Sequence, residues 1–490
     1  MTLAGTYQPK HPIQPLWYKL MSQQIPVKNV TPNIPKGQST DLYASSEKIY
    51  TRAFSGVFRN LRRMGGALLF LLYFGTVWLN YDGRQAVWWN LPERKFYIFG
   101  STFWPQDFVL LSALLIICAF GLFFITVFAG RVWCGYTCPQ SVFTWVFMWG
   151  EKVTEGDRNQ RMKLDKAPMS ANKFMRKLAK HGIWIGVSLA TAITFVGYFS
   201  PIRELIPDLF TLSASGWALF WVGFLTLATY GNAGWLREQV CIYMCPYARF
   251  QSVMFDADTL IVSYDPRRGE ARGPRKKDAD YKAQGLGDCI DCKMCVQVCP
   301  TGIDIRDGLQ LECIGCAACI DACDSIMEKM DYPKGLISYT TEHNLTGHKT
   351  HLIRPRLIGY AIALIAMMSV FVWAVSARSL VGLDVIKDRV MYRENQDGHI
   401  ENVYTLKIMN KAQHDMTVVI SADGIEGLEF EGNTEIKAAA GEVLSVPVEL
   451  SIPPEKLPSS ANKIMFHVKS MDDPSINSDA DSRFNGPSIR

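Results

Sequence analysis

The sequence predicts a multi-domain chain in which a polytopic α-helical membrane part carries a cysteine-rich α+β insert and ends in an all-β sandwich. Three observations lead there. Long apolar stretches recur along the first three-quarters of the chain, eight cysteines crowd into the segment between Cys289 and Cys323, and the last hundred residues alternate apolar with polar. Composition agrees: of 490 residues, 48% are hydrophobic yet 20% are charged. That mixture fits neither a pure membrane bundle nor a soluble enzyme. The formal net charge of +5 is small for this length and argues against nucleic acid as partner.

Five stretches approach the ~20 apolar residues that a bilayer-crossing helix needs. They are residues 65–80, 108–129, 183–199, 216–232 and 357–376. Residues 1–50 are polar and form an expected cytoplasmic tail, 51–250 hold four of the spans, and 357–376 is the fifth. Lys and Arg collect in 59–63, 158–181 and 265–277, in alternate loops. The positive-inside rule therefore places the N-terminus and the large loop 251–356 in the cytoplasm and the C-terminus outside.

Beyond residue 376 the pattern becomes strand-like. In "EVLSVPVEL", Leu444, Val446, Val448 and Leu450 share one face, and "VYTLKIM" and "IMFHVKS" alternate similarly. Turn signals such as Asp423-Gly424 separate these runs, so residues 385–490 read as an immunoglobulin-like β-sandwich, here without cysteines.

The strongest chemical signal is "CIDCKMCVQVCP…CIGCAACIDAC", a C-x2-C-x2-C-x3-C pattern written twice within a core of residues 285–330. Three thiolates two residues apart wrap one cubane, and the remote fourth serves the other cluster in two-cluster ferredoxins. The spacing assigns Cys289, Cys292, Cys295 and Cys323 to one [4Fe-4S] cluster, and Cys313, Cys316, Cys319 and Cys299 to a second. Gly315, Ala317 and Ala318 suit the tight turns. Asp324 stands where the first half has Pro300, so equal potentials are not expected. A four-thiolate zinc site is the alternative.

Four more cysteines form two echoed Cys-x-x-x-Cys-Pro stretches, Cys134/Cys138 and Cys241/Cys245, where apolar stretches end. A gap of four puts two thiols on one helical face. The proline breaks the helix before it and starts another, so "PQSVFTWVFMW" and "PYARFQSVMF" read as restarts. A helix N-terminus lowers a thiol pKa, which favours soft-metal binding or redox exchange. Thiolates select Cu(I), zinc or iron–sulfur clusters, and purely structural cysteines remain open as well. Cys118, alone within a helix, is expected to be packing. His343, His348 and His351 precede the fifth span as a solvated juxtamembrane stretch, with a metal relay as the alternative.

A polytopic part with two such thiol pairs followed by a doubled cassette is similar to the NapH and NosR group of membrane ferredoxins. "WPQDF" (104–108), "GRVWCGYTCPQ" (130–140), "YDPRRGEARG" (264–273) and the outer sandwich resemble the FixG/CcoG family, also called RdxA, from about Tyr50 to the C-terminus. The resemblance implies a protein of the bacterial inner membrane in cbb-type cytochrome c oxidase assembly, reducing Cu(II) to Cu(I) for copper delivery. It also implies copper at Cys134, Cys138, Cys241 and Cys245, copper chaperones and oxidase subunits as partners, and a quinol or cytoplasmic reductant as donor. Two other functions stay open: a quinol dehydrogenase feeding a periplasmic reductase, and a non-catalytic assembly scaffold.

Overall fold

The computed structural model describes residues 48–487 apart from residue 413, so the expected N-terminal tail lies almost wholly outside the described residues. The chain divides into two compact units. One takes residues up to Leu71, Cys118–Thr191 and Gly223–Ile365, and the other takes Leu72–Ile117, Ala192–Val222 and everything from Ala366.

Among the described residues, three helical segments are long and apolar enough to cross a membrane: Pro105–Ala129, Ala171–Gly197 and Pro355–Ser376. A fourth is the pair Ile202–Thr211 and Gly216–Leu236, which counts as one span only if its 91° bend is a break within it. The first expected span, residues 65–80, falls largely on the helix Val57–Thr76, which is not among them. Arg59, Arg62 and Arg63 occupy its first two turns and leave too short an apolar remainder. Apolar side chains face outward along the spans (Leu115, Phe224 and Ile365 among them), as lipid contact requires. Cys118 is exposed on its helix and does not fill a core, contrary to expectation.

Within the first unit, the span Ala171–Gly197 packs on the helix Pro139–Glu155, with Phe147 stacked on Trp184 at 5.3 Å between ring centres. The iron–sulfur-type cassette is closed at its base by two short antiparallel strands, Ile261–Tyr264 and Ile337–Thr340, in the register Ile261↔Thr340 to Tyr264↔Ile337. This pairing joins the two ends of a segment of more than seventy residues, so the loop closure is made once, outside the cluster loops.

In the second unit, the C-terminal sandwich has two antiparallel sheets. One is ordered Glu429–Glu431, Val443–Ile452, Ile400–Asn410, Val381–Lys387, with Arg393–Glu394 added to Ile400–Asn410. The other is ordered Glu435–Ala438, Met416–Asp423, Ala461–Ser470, Asn477–Asn485. Alternation does the sorting: Tyr404, Leu406, Ile408, Val448, Leu450, Ile464, Phe466 and Val468 all turn into one core. The sequence pattern missed a three-stranded sheet, Val87–Asn90, Lys95–Ile98 and Ser101–Phe103, between the first two helices. Just after it, the "WPQDF" motif finds its physical reason: the partly buried Asp107 carboxylate bridges Arg378 at 2.7 Å and Lys411 at 3.3 Å, tying the turn to the base of the sandwich.

Candidate electron-transfer site

Each half of the cassette winds through left-handed residues at matching places. Asp291 and Lys293 have φ of 51° and 55° in the first half, and Gly315 and Ala317 have 64° and 57° in the second. Alternating handedness turns successive N–H groups inward and makes a nest of the kind that holds iron–sulfur groups. Short helices follow, Met294–Val298 and Ala318–Lys329.

The structure gathers the eight thiols around two cavities. One cavity is lined by Cys289, Cys292, Cys295 and Cys323. A second is lined by Cys299, Cys313, Cys316 and Cys319. Cys295 borders both, so the two cavities are neighbours. Burial pushes the thiols of Cys295 and Cys313 up to about 12 and raises that of Cys319, with neighbouring cysteines adding to the shift at Cys313 and Cys319. Thiols so placed cannot ionise together unless a cation takes up the charge, and a bound metal deprotonates them outright. The donor set therefore fits two [4Fe-4S] groups.

The two cavities differ in setting. Cys292 is exposed, which brings the first cavity to the surface. Its wall includes Arg306, which is held by Asp291 and Asp304 at 2.5 Å each. Asp324 accepts the Gly335 N–H at 2.9 Å, and its charge adds to the rise at Cys323. Around the first cavity, "YDPRRGEARG" acts as a brace. Asp265 accepts from the Arg267 N–H at 3.0 Å, Arg268 grips Asp288 at 2.5 Å, and the Gly273 N–H donates to the Cys289 carbonyl at 3.3 Å.

The second cavity is bound to the first thiol pair. Cys134 lies in the short helix Val132–Tyr136 and packs on a small core of Val298, Ile314, Cys316, Ala318 and Ala322. A Cβ on Gly135 would sit 2.8 Å from Cys316 Cα and 2.8 Å from the Gly315 carbonyl oxygen, so only glycine allows this approach. Arg131 donates to the Cys313 carbonyl at 2.9 Å and to that of Ala248 at 2.9 Å. Arg62 donates to the Cys316 carbonyl at 2.8 Å, and Tyr339 to that of Gly315 at 2.6 Å.

Both helix restarts are present. Cys138 precedes Pro139–Glu155 and Cys245 precedes Pro246–Met254, each with proline in the first turn. The copies are not equivalent, because Cys241 lies in a π-helical stretch, Val240–Met244. Residues far apart in sequence bring the pairs together. Gln140 donates to the carbonyls of Asn232 at 2.8 Å and Arg237 at 3.1 Å. The fully buried Glu151 holds Arg161 and Arg237 at 2.5 Å each.

Burial sets the first cysteine of each pair apart from a thiol at a helix N-terminus. Burial pushes Cys134 up to about 11, with Cys138 and Cys245 adding to it against Gln251 and Arg131. Burial pushes Cys241 up to about 12, reinforced by Cys138, Cys134 and Cys245. The helix-terminus effect reaches only the first turn, and these two thiols sit a turn before it, away from water. Cys241 is thus in electrostatic reach of the other three thiols. Sequence reading missed Gln251, which accepts from the Cys134 thiol at 3.3 Å. It is fully buried, and its side chain also hydrogen-bonds that of Tyr247. An amide 117 residues away carries no local signal.

Residues 236–342 match a family model described as a 4Fe-4S dicluster domain, and residues 371–487 match one described as the Ig-like fold at the C-terminus of FixG. Residues 111–153, which include Cys134 and Cys138, match one described as a 4Fe-4S binding domain. The chain is similar to the nitrogen fixation protein FixG of Rhizobium meliloti, 36% identical over 78% of this chain and 80% of that protein. It is similar to protein RdxA of Cereibacter sphaeroides, 38% identical over 84% of this chain and 88% of the relative. Protein RdxB of the same organism is 36% identical over 84% and 90%. Identity at this level along most of each protein, with a dicluster cassette ahead of the FixG C-terminal domain, makes the chain a member of the FixG family and an iron–sulfur electron-transfer protein.

Proposed function

We propose that this protein sits in the bacterial inner membrane and reduces Cu(II) to Cu(I) for delivery to cbb-type cytochrome c oxidase during assembly. Each copper ion takes one electron, drawn from a quinol or a cytoplasmic reductant. Cys289, Cys292, Cys295 and Cys323 hold one [4Fe-4S] cluster and Cys299, Cys313, Cys316 and Cys319 the other, and these groups supply one-electron redox chemistry when bound. Cys134, Cys138, Cys241 and Cys245 receive the copper, because thiolates favour the soft Cu(I) product. The cassette lies in the cytoplasm and the sandwich outside, where it meets copper chaperones or oxidase subunits.

One observation carries the reading: the backbone of the first thiol pair is in van der Waals contact with the loop of the buried cavity, across Gly135 and Cys316. The exposed Cys292 gives the other cavity a face toward a donor.

The test is to purify the protein anaerobically, measure iron, sulfide and copper, reduce it, and follow Cu(II) conversion with a Cu(I)-specific chelator. The expected result is rapid Cu(I) formation, reduced at least tenfold in Cys134→Ser with the iron content unchanged. Undiminished turnover in that variant would sink the thiol assignment. Iron well beyond two cubanes, lost on substituting Cys134, would replace copper there by a further cluster.

A further inference from the structure

The three histidines ahead of the last span acquire a partner that the sequence did not suggest. A short helix, Glu342–Thr346, is capped by Thr341 and ends at Gly347, whose φ of 87° lets the chain double back. The His348 N–H donates to the His343 carbonyl at 2.7 Å, and the Thr341 and Thr350 hydroxyls meet at 2.6 Å. The resulting hook sets the His343 ring 6.1 Å from that of His348 and 6.0 Å from that of His351. Into it projects Asp258, from a loop 85 residues earlier in the chain.

That loop is itself fixed. Asp256 accepts from the Asp258 N–H at 3.1 Å and from the Thr259 hydroxyl at 3.0 Å, and it pairs with Arg354. The Thr259 hydroxyl and the Leu260 N–H reach the carbonyls of Val127 and Phe128 at 3.0 and 3.2 Å. Asp258 Oδ1 stands 2.7 Å from His343 Nδ1 and 3.8 Å from His351 Nδ1, and the three ligand atoms lie within 4.8 Å of one another.

We propose that Asp258, His343 and His351 form a binding site for a divalent first-row transition-metal ion, separate from all twelve paired or clustered thiols. Bonds of about 2.0–2.2 Å to nitrogen and oxygen put two ligands of one ion roughly 3–3.5 Å apart. The observed separations bracket that distance, so a small ring movement at His351 completes the set. Two imidazoles and a carboxylate favour Cu(II) over the other divalent ions of the row. The His351 side chain is 69% exposed, which makes the site exchangeable and leaves room for water as further ligand. A bland use of the same atoms exists: Asp258 also accepts the His351 N–H at 2.9 Å and so pins the hook without any ion. The inference does not depend on copper reduction at the thiols.

The test uses full-length oxidised protein with its clusters intact and its free thiols alkylated, so that Cu(II) meets only nitrogen and oxygen donors. Electron paramagnetic resonance should show one Cu(II) per chain, with nitrogen couplings. The signal should vanish in His343→Ala, and affinity should fall at least tenfold in His351→Ala, whose exposed ring makes misfolding a poor explanation; iron content checks both variants. Equal copper binding in all three proteins, or none in the unsubstituted one, would overturn the site.

Discussion

Replacing Gly135 by alanine places a methyl carbon 2.8 Å from Cys316 Cα, 2.8 Å from the Gly315 carbonyl oxygen and 3.0 Å from the Cys316 nitrogen. All three are backbone atoms, so no side chain can swing aside. The thiol helix and the cassette loop must separate, at a cost of about 1–3 kcal/mol for an overpacked contact. Losing part of the hydrogen bonds from Arg131 and Arg62 to the cassette carbonyls would add to this. Unfolding followed by loss of the iron–sulfur absorbance should therefore move down by several degrees, taking roughly 2–4 °C per kcal/mol. Copper reduction by the pre-reduced protein should slow by more than the change in iron content explains. Gly66→Ala is the control, since its methyl would meet only the Val142 side chain, at an ordinary 3.6 Å. Alanine also favours a helix over glycine. If Gly135→Ala matches Gly66→Ala in melting temperature and in copper reduction, the close approach has no role and the proposed route fails.

Two other expectations are independent of that contact. Glu151→Leu leaves Arg161 and Arg237 without their shared carboxylate in a buried setting, and breaking such a pair costs about 3–5 kcal/mol; thermal unfolding should drop sharply, and a melting point within a degree of the original would refute the clamp. In the sandwich, Asp479, aided by Asp423 and opposed by partial burial, raises the pKa of His467. A raised folded-state pKa means stabilisation that is complete below the ordinary histidine value of about 6.5 and fades as pH climbs through the higher folded value. The sandwich should thus lose stability on going from pH 6 to pH 8, and His467→Gln should flatten that slope; an unchanged slope would show that the carboxylates act elsewhere.

Local patterns read well because their physics is local. Within each half of the cassette three thiols recur at every third position, which one loop of chain can wrap around a small object, and the fourth thiol of each group comes from the other half. The sandwich faces follow from the two-residue period of a strand, as Tyr404, Leu406 and Ile408 show by turning inward together. The helix restarts at Cys138 and Cys245 follow from what proline forbids to the residue before it. The first expected span, residues 65–80, belongs to a helix that begins eight residues earlier, at Val57, and so takes the basic cluster Arg59–Arg63 into its opening turns. The raised pKa of Cys134 and Cys241 has no local signature, because desolvation depends on all the neighbours that the fold brings up.

The spacing of the three close thiols in each half of the cassette, the strand faces of the sandwich and the points where helices break could be read from the chain alone, since each is settled by residues within a turn or two of one another. Only the tertiary structure decided that Gly135 lies on Cys316, that Gln251 faces Cys134, that Glu151 clamps Arg237, and that Asp258 enters the histidine hook. Those pairings join residues roughly eighty or more positions apart. A contact of that span is set by how whole helices and loops pack, and no short window of sequence contains it.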